Sequence, residues 1–239
     1  MSSSTLLDTQ IKKATFWSAV VGLGCGVMSA FFPLDIPDGY LAENHLRIAW
    51  LLENSGAFVS AWLIQILGML TLSGVFAGIA WQVRGQSPLG AILSASAAAM
   101  ATMAFFIPKF IAVWAMPMLA EATTKTGAGS ELATQLLPLL NVSIPYSLFT
   151  SMDYLGFWLY ALAAVFLVRP LLLQSLSAKI IGIGMGSFCL LYHAVLIGVF
   201  VGTVPAADIG DYSNLAIRTL PVMMIATIFY FKAELKNAG

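Results

Sequence analysis

Residues 144–168 read IPYSLFTSMDYLGFWLYALAAVFLV, and how this stretch is divided decides the architecture. Its uncharged part, Tyr154 to Val168, is too short for a helical bilayer crossing, which takes ~20 apolar residues. A crossing here must begin near Ile144 and carry Asp153 inside it. An apolar helix in a soluble core is the other reading, and composition argues against it. The chain is 59% hydrophobic and 9% charged, whereas soluble domains carry about a quarter charged residues. So little polar surface cannot cover so large an apolar core in water, but a bilayer solvates apolar side chains directly.

The same reasoning applies near the C-terminus. Thr219 to Phe231 is again too short, so that span must start near Tyr212 and enclose Arg218. Four further stretches are long enough without such help: 15–34, 55–83, 89–108 and 180–204. Together with 144–168 and 212–231 they predict a single all-α transmembrane domain over 1–239, a bundle of about six crossings. Between the third and fourth spans, ELATQLLPLLN reads as an amphipathic outer-side segment, an interfacial helix or a re-entrant turn rather than a crossing. Pro108, next to Lys109, is a point at which the third helix is expected to be interrupted.

Charge orients the spans. Lys12, Lys13, Arg84, Arg169, Lys179, Lys232 and Lys236 fall at one set of ends, against Arg47, Lys109, Lys125 and Arg218 at the other. The excess of basic residues marks the cytoplasmic side, which places both termini inside. Trp17 and Trp81 then belong to the inner interface and Trp50 and Trp114 to the outer one, as aromatic belts require. The expected location is the cytoplasmic membrane of a bacterial cell.

In lipid, helices associate through close packing of small residues. GxxxG spacing occurs at Gly22 with Gly26, Gly74 with Gly78, and Gly182 with Gly186. These tracts fall towards the cytoplasmic half, so the inner half is expected to be tight and the outer half looser. An outward-facing polar pocket follows from that asymmetry.

Counting 1.5 Å per residue places Asp153, His193 and Arg218 at a common depth, roughly 10 Å below the outer boundary. Lys109 and Glu53 sit just above them. Ionisable groups at such depth normally face the bundle and find partners. Asp153 with Arg218 is the natural ion pair, and these five residues form the candidate ligand site. Two readings stand side by side: a functional pocket, or a polar layer that only pins helices together.

Several chemistries lack their residues. Cys25 and Cys189 form no CxxC pair, and the balance of 11 basic against 11 acidic residues gives no nucleic-acid field. No metal site, catalytic residue or resident cofactor is expected, although a bound lipid or quinone fits the apolar spans. Asn141-Val-Ser143 matches a glycosylation sequon on the outer side. The leading expectation is a membrane-embedded interaction or assembly protein, with membrane lipids, other membrane subunits or a second copy as partners. A small transporter or channel, and an intramembrane lipid- or quinone-binding protein or enzyme, are the alternatives.

Overall fold

A computed structural model of the chain describes residues 3–37, 39 and 41–237; the ends of the domain expected over 1–239 lie outside these. The described residues are helical throughout their regular structure, with no strand. The helices are α1 (Ser3–Ser29), α2 (Asn44–Val83), α3 (Pro88–Ala122), α4 (Ala128–Leu139), α5 (Leu148–Leu172), α6 (Leu176–Phe200), α7 (Ile209–Ile217) and α8 (Thr219–Asn237). Five stretches are long and apolar enough to cross a membrane: α2, α3, α5, α6 and Ile209–Lys236, which joins α7 to α8. These make the chain an all-helical protein of integral-membrane character.

Helix ends depart from the sequence expectation in instructive ways. α1 stops at Ser29 rather than reaching Leu34, with Asp8, Lys12 and Lys13 ahead of its apolar part, and it is not among the five stretches. α2 reaches back to Asn44, but Asn54 is non-helical (φ −111°, ψ 18°) and divides it. The Asn54 side-chain amide donates to the Trp50 carbonyl at 3.0 Å, so a polar side chain satisfies backbone where the helix bends. The expected span start at residue 55 coincides with that division.

α3 is not interrupted at Pro108. It runs through both Pro108 and Pro117 to Ala122. Proline removes one N–H and crowds the carbonyl four residues earlier, but the helix continues on either side of it. The expected interfacial piece is α4, with Ala133 and Leu137 buried. Near the C-terminus, Arg218 is not inside one unbroken helix: it closes α7, its N–H bonded to the Asn214 carbonyl at 3.0 Å, and α8 starts at Thr219.

The chain divides into two compact units. The first comprises Met1–Gly24, Gly68–Thr102 and Phe157–Gly239. Within it, α1 and α2 meet along an antiparallel seam of small residues. A Cβ at Gly78 would stand 2.6 Å from Thr15 Cβ, one at Gly74 3.2 Å from Ser18 Cβ, and one at Gly22 2.8 Å from Thr71 Oγ1. Close backbone approach of this kind is what small residues permit. On α6, a Cβ at Gly182 would lie 3.1 Å from Leu171 Cβ of α5, and one at Gly186 3.7 Å from Val168. A half-buried hydroxyl cluster joins α2, α3 and α5: Ser73 lies 2.5 Å from the Tyr160 hydroxyl and 2.6 Å from that of Thr102.

One end of this unit is polar. Lys12 pairs with Glu234 at 2.8 Å, Trp81 Nε1 donates to Asp8 at 2.8 Å, and Arg84 also reaches Asp8. Tyr230 donates to Gln174 at 3.1 Å. The start of α1 and the ends of α2, α5 and α8 therefore share that end.

The second unit comprises Cys25–Leu67 and Met103–Gly156. Its core is bulky: Leu51, Phe58, Trp62, Met116, Leu137 and Phe149 are buried together around Ala112 and Ala120. Trp62 and Phe149 stand 4.8 Å apart between ring centroids. Gly26, which falls in this unit, has nothing within 4 Å of where its Cβ would be, unlike the other five glycines of the GxxxG pairs.

Candidate functional site

The second unit brings together Lys109 of α3 and Asp153 of α5. The Lys109 ammonium donates to the Asp153 carboxylate at 2.6 Å. The lysine side chain is 2% exposed and that of the aspartate 20%. Three rings surround the ammonium, with centroids at 4.7 Å (Phe105), 5.6 Å (Phe149) and 5.7 Å (Trp62). A cation within about 6 Å of an aromatic face is attracted by the ring quadrupole, so the rings replace part of the lost hydration. Gly156, one turn beyond Asp153, leaves room for Phe105, whose ring carbon is 2.6 Å from where a Cβ would be. Depth counting paired Asp153 with Arg218; the structure gives Asp153 a lysine instead. The signal available in sequence was the proximity in depth of Lys109, expected just above Asp153 and within reach of a lysine side chain.

Beside this pair lies a small cavity of about 60 Å³, lined by Ile107, Pro108, Ile111, Leu148, Phe149 and Met152 together with Leu140. Its walls are apolar. Glu53, the remaining candidate in this unit, is exposed on α2, next to the division at Asn54.

His193 lies in the first unit, on the α6 face that carries Gly182 and Gly186 towards α5. Trp158 of α5 donates its Nε1–H to His193 Nε2 at 3.2 Å. His193 Nδ1 lies 2.8 Å from the Cys189 carbonyl. Both ring nitrogens are thus within hydrogen-bond distance of protein atoms. That geometry holds a helix face in place and leaves no ring nitrogen directed at a ligand.

Arg218 is exposed and has no ion pair among the described residues. It lines a groove of about 520 Å³ between α6 and the α7–α8 junction. From α6 come Ile180, Ile183, Gly184, Ser187 and Leu191; from the other side come Leu215, Arg218, Thr219 and Val222. Both sets have the spacing of a single helix face. Sequence depth located Arg218 but could not find the groove, because its walls are ordinary apolar residues of two helices distant in sequence.

In the first turn of α2, Arg47 is 3% exposed and donates to Asp35 at 3.4 Å and to the Gly39 carbonyl. Asn141 donates to the other Asp35 oxygen at 3.3 Å and accepts from the Ser143 N–H at 2.7 Å. The sequon asparagine is thus buried and hydrogen-bonded on both sides of its amide. Among the described residues, no group of three or more His, Cys, Asp or Glu side chains is placed to hold a metal ion.

Fold and sites together define a helical bundle with apolar, membrane-length helices and two buried ion pairs, Lys109 with Asp153 and Arg47 with Asp35. Compared with family profiles, with curated proteins and with solved structures, the chain matches none.

Proposed function

We propose that the chain is a membrane-embedded assembly protein, a bundle whose internal polar groups fasten its own helices and whose outer surface docks another membrane chain. The observation that carries this reading is the pairing of Lys109 with Asp153 at 2.6 Å beneath three rings. A solute pathway needs polar groups that face it, whereas Lys109 and Asp153 face each other. His193, held between Trp158 and the Cys189 carbonyl, points the same way.

The docking face in this proposal is the α3 stripe of Met103, Ile107, Phe110, Trp114 and Met118, all exposed at helical spacing. Phe110 and Trp114 stack nearly parallel at 6.3 Å. Aromatic residues and methionine are enriched where protein surfaces meet.

The bundle is proposed to cross the bilayer six times, with α1 as the sixth crossing and both termini cytoplasmic. The antiparallel seam of α1 with α2 supports the count, because it lays α1 alongside a membrane-length helix. The sidedness is supported by the cluster of Lys12, Arg84 and Glu234 at one end, where α1 begins and α2 and α8 finish. An even number of crossings returns the chain to its starting side, and the basic end is the cytoplasmic one.

Mass measurement of the intact particle extracted in mild detergent tests the assembly reading. The expected result is a stoichiometric second membrane chain or second copy, cross-linked by a photoreactive residue at position 114 and not by one at 183. A lone monomer under the gentlest extraction, with no cross-link from either position, would overturn it.

A further inference from the structure

We infer that the groove between α6 and the α7–α8 junction is a binding site for an anionic phospholipid, with the lipid phosphate on Arg218 and one acyl chain along the groove. The inference does not depend on the assembly role, since none of its lining residues belongs to the α3 docking face.

The groove exists because small residues line its floor. Gly184 lets α6 approach α8 until a Cβ there would stand 3.2 Å from Met223 Cβ. Ser187 and Thr219 flank that contact and leave the volume beside it unfilled. At about 520 Å³ it falls within the ~300–1,000 Å³ typical of small-ligand sites. That room suits one chain, with the second remaining in the bilayer.

Register places the charge at one end. Gly184 lies against Met223, and the two helices run in opposite directions. Arg218, a little more than one turn before Met223, therefore sits level with the Ser187–Leu191 part of α6. The opposite end, around Ile180 and Ile183, is apolar and exposed. A cation at one end of an apolar trough matches an amphiphile whose head is negative and whose tail is hydrocarbon. Arg218 is the charged residue of the lining, and its guanidinium fork suits two oxygens of a phosphate. Its lack of an ion pair among the described residues leaves that fork available. Thr219 donates to the Ala216 carbonyl at 2.7 Å, so its hydroxyl oxygen retains accepting capacity only and Arg218 remains the head-group anchor. The open flank of the groove lets lipid enter sideways from the bilayer.

The test uses the full chain in nanodiscs of phosphatidylcholine containing a minor share of phosphatidylglycerol, with retained lipid read by native mass spectrometry after release. The wild-type chain is expected to keep one phosphatidylglycerol in preference to phosphatidylcholine. Arg218→Gln should lower that preference by about tenfold, in line with loss of a charge-assisted contact, with Arg218→Lys intermediate. Ile183→Trp, which fills the trough from an exposed position, should lower retention of both lipids together. Thermal unfolding of each variant serves as the folding check. Equal retention of the two lipids by wild type, an unchanged preference in folded Arg218→Gln, or retention of a free fatty acid in place of phospholipid would each overturn the inference.

Discussion

The ammonium of Lys109 and the carboxylate of Asp153 meet at 2.6 Å, joining α3 to α5 under the rings of Trp62, Phe105 and Phe149. Neither charge has another ion-pair partner among the described residues. Removing one therefore leaves the other uncompensated in an apolar setting, at a cost of about 3–5 kcal/mol. Asp153→Asn or Lys109→Met alone should lower the unfolding midpoint sharply in detergent. The double variant Lys109→Met with Asp153→Leu should regain most of the loss, since apolar replacement of a buried pair is often neutral or better. Additive losses in a double-mutant cycle would show that the two residues act separately.

Glycine spacing alone did not distinguish packing glycines from exposed ones, and the structure separates them. At Gly78 a side chain would collide with Thr15, whereas at Gly26 nothing lies within 4 Å. Gly78→Leu should destabilise by at least ~1–3 kcal/mol, the usual cost of overpacking. Gly26→Leu should leave the unfolding midpoint unchanged within about 0.5 kcal/mol. Equal sensitivity at the two positions would remove the α1–α2 seam as the explanation.

Five apolar helices were legible because membrane-length apolar stretches announce themselves by composition, although their ends were not. The face of His193 was legible too, since Gly182 and Gly186 share it by helical spacing and all three turn towards α5. Partner choice was not. Depth counting treats a lysine at a span end as a rim group, yet α3 continues past Pro108 and carries Lys109 inwards among aromatic side chains. The short loops of the second unit were equally opaque, because the link from Arg47 to Asp35 and from Asp35 to Asn141 joins segments with no shared periodicity.

The polar end of the first unit should respond to acid. The indole N–H of Trp81, followed by the charges of Arg84 and Lys12, holds the Asp8 carboxyl below its ordinary range against the opposing effect of burial. A group whose folded pKa is depressed stabilises the fold above its unfolded value and loses that contribution as pH falls through the folded value. The contribution should therefore be constant from pH 7 to pH 5 and decline below about pH 4. Comparing unfolding midpoints at pH 5 and pH 3, Asp8→Asn should show a smaller acid-induced drop than wild type. An identical drop in both proteins would place the acid sensitivity elsewhere.

Arg47 should act as a clasp between two loop segments of the second unit. Its guanidinium engages the Asp35 carboxylate and the Gly39 carbonyl, and Asp35 in turn accepts from Asn141, so one side chain ties the α1–α2 loop to the segment before α5. Arg47→Ala removes the cation from a buried carboxylate and frees the loop, whereas Arg47→Lys keeps the charge but loses the fork that serves two acceptors. Limited proteolysis between residues 30 and 43 should accelerate several-fold in the alanine variant and less in the lysine variant. The unfolding midpoint should fall in the same order, with the alanine change costing on the order of 3 kcal/mol. Protease resistance equal to wild type in Arg47→Ala would mean that the loop is held by its apolar contacts alone, such as Leu34 against the Trp62 core.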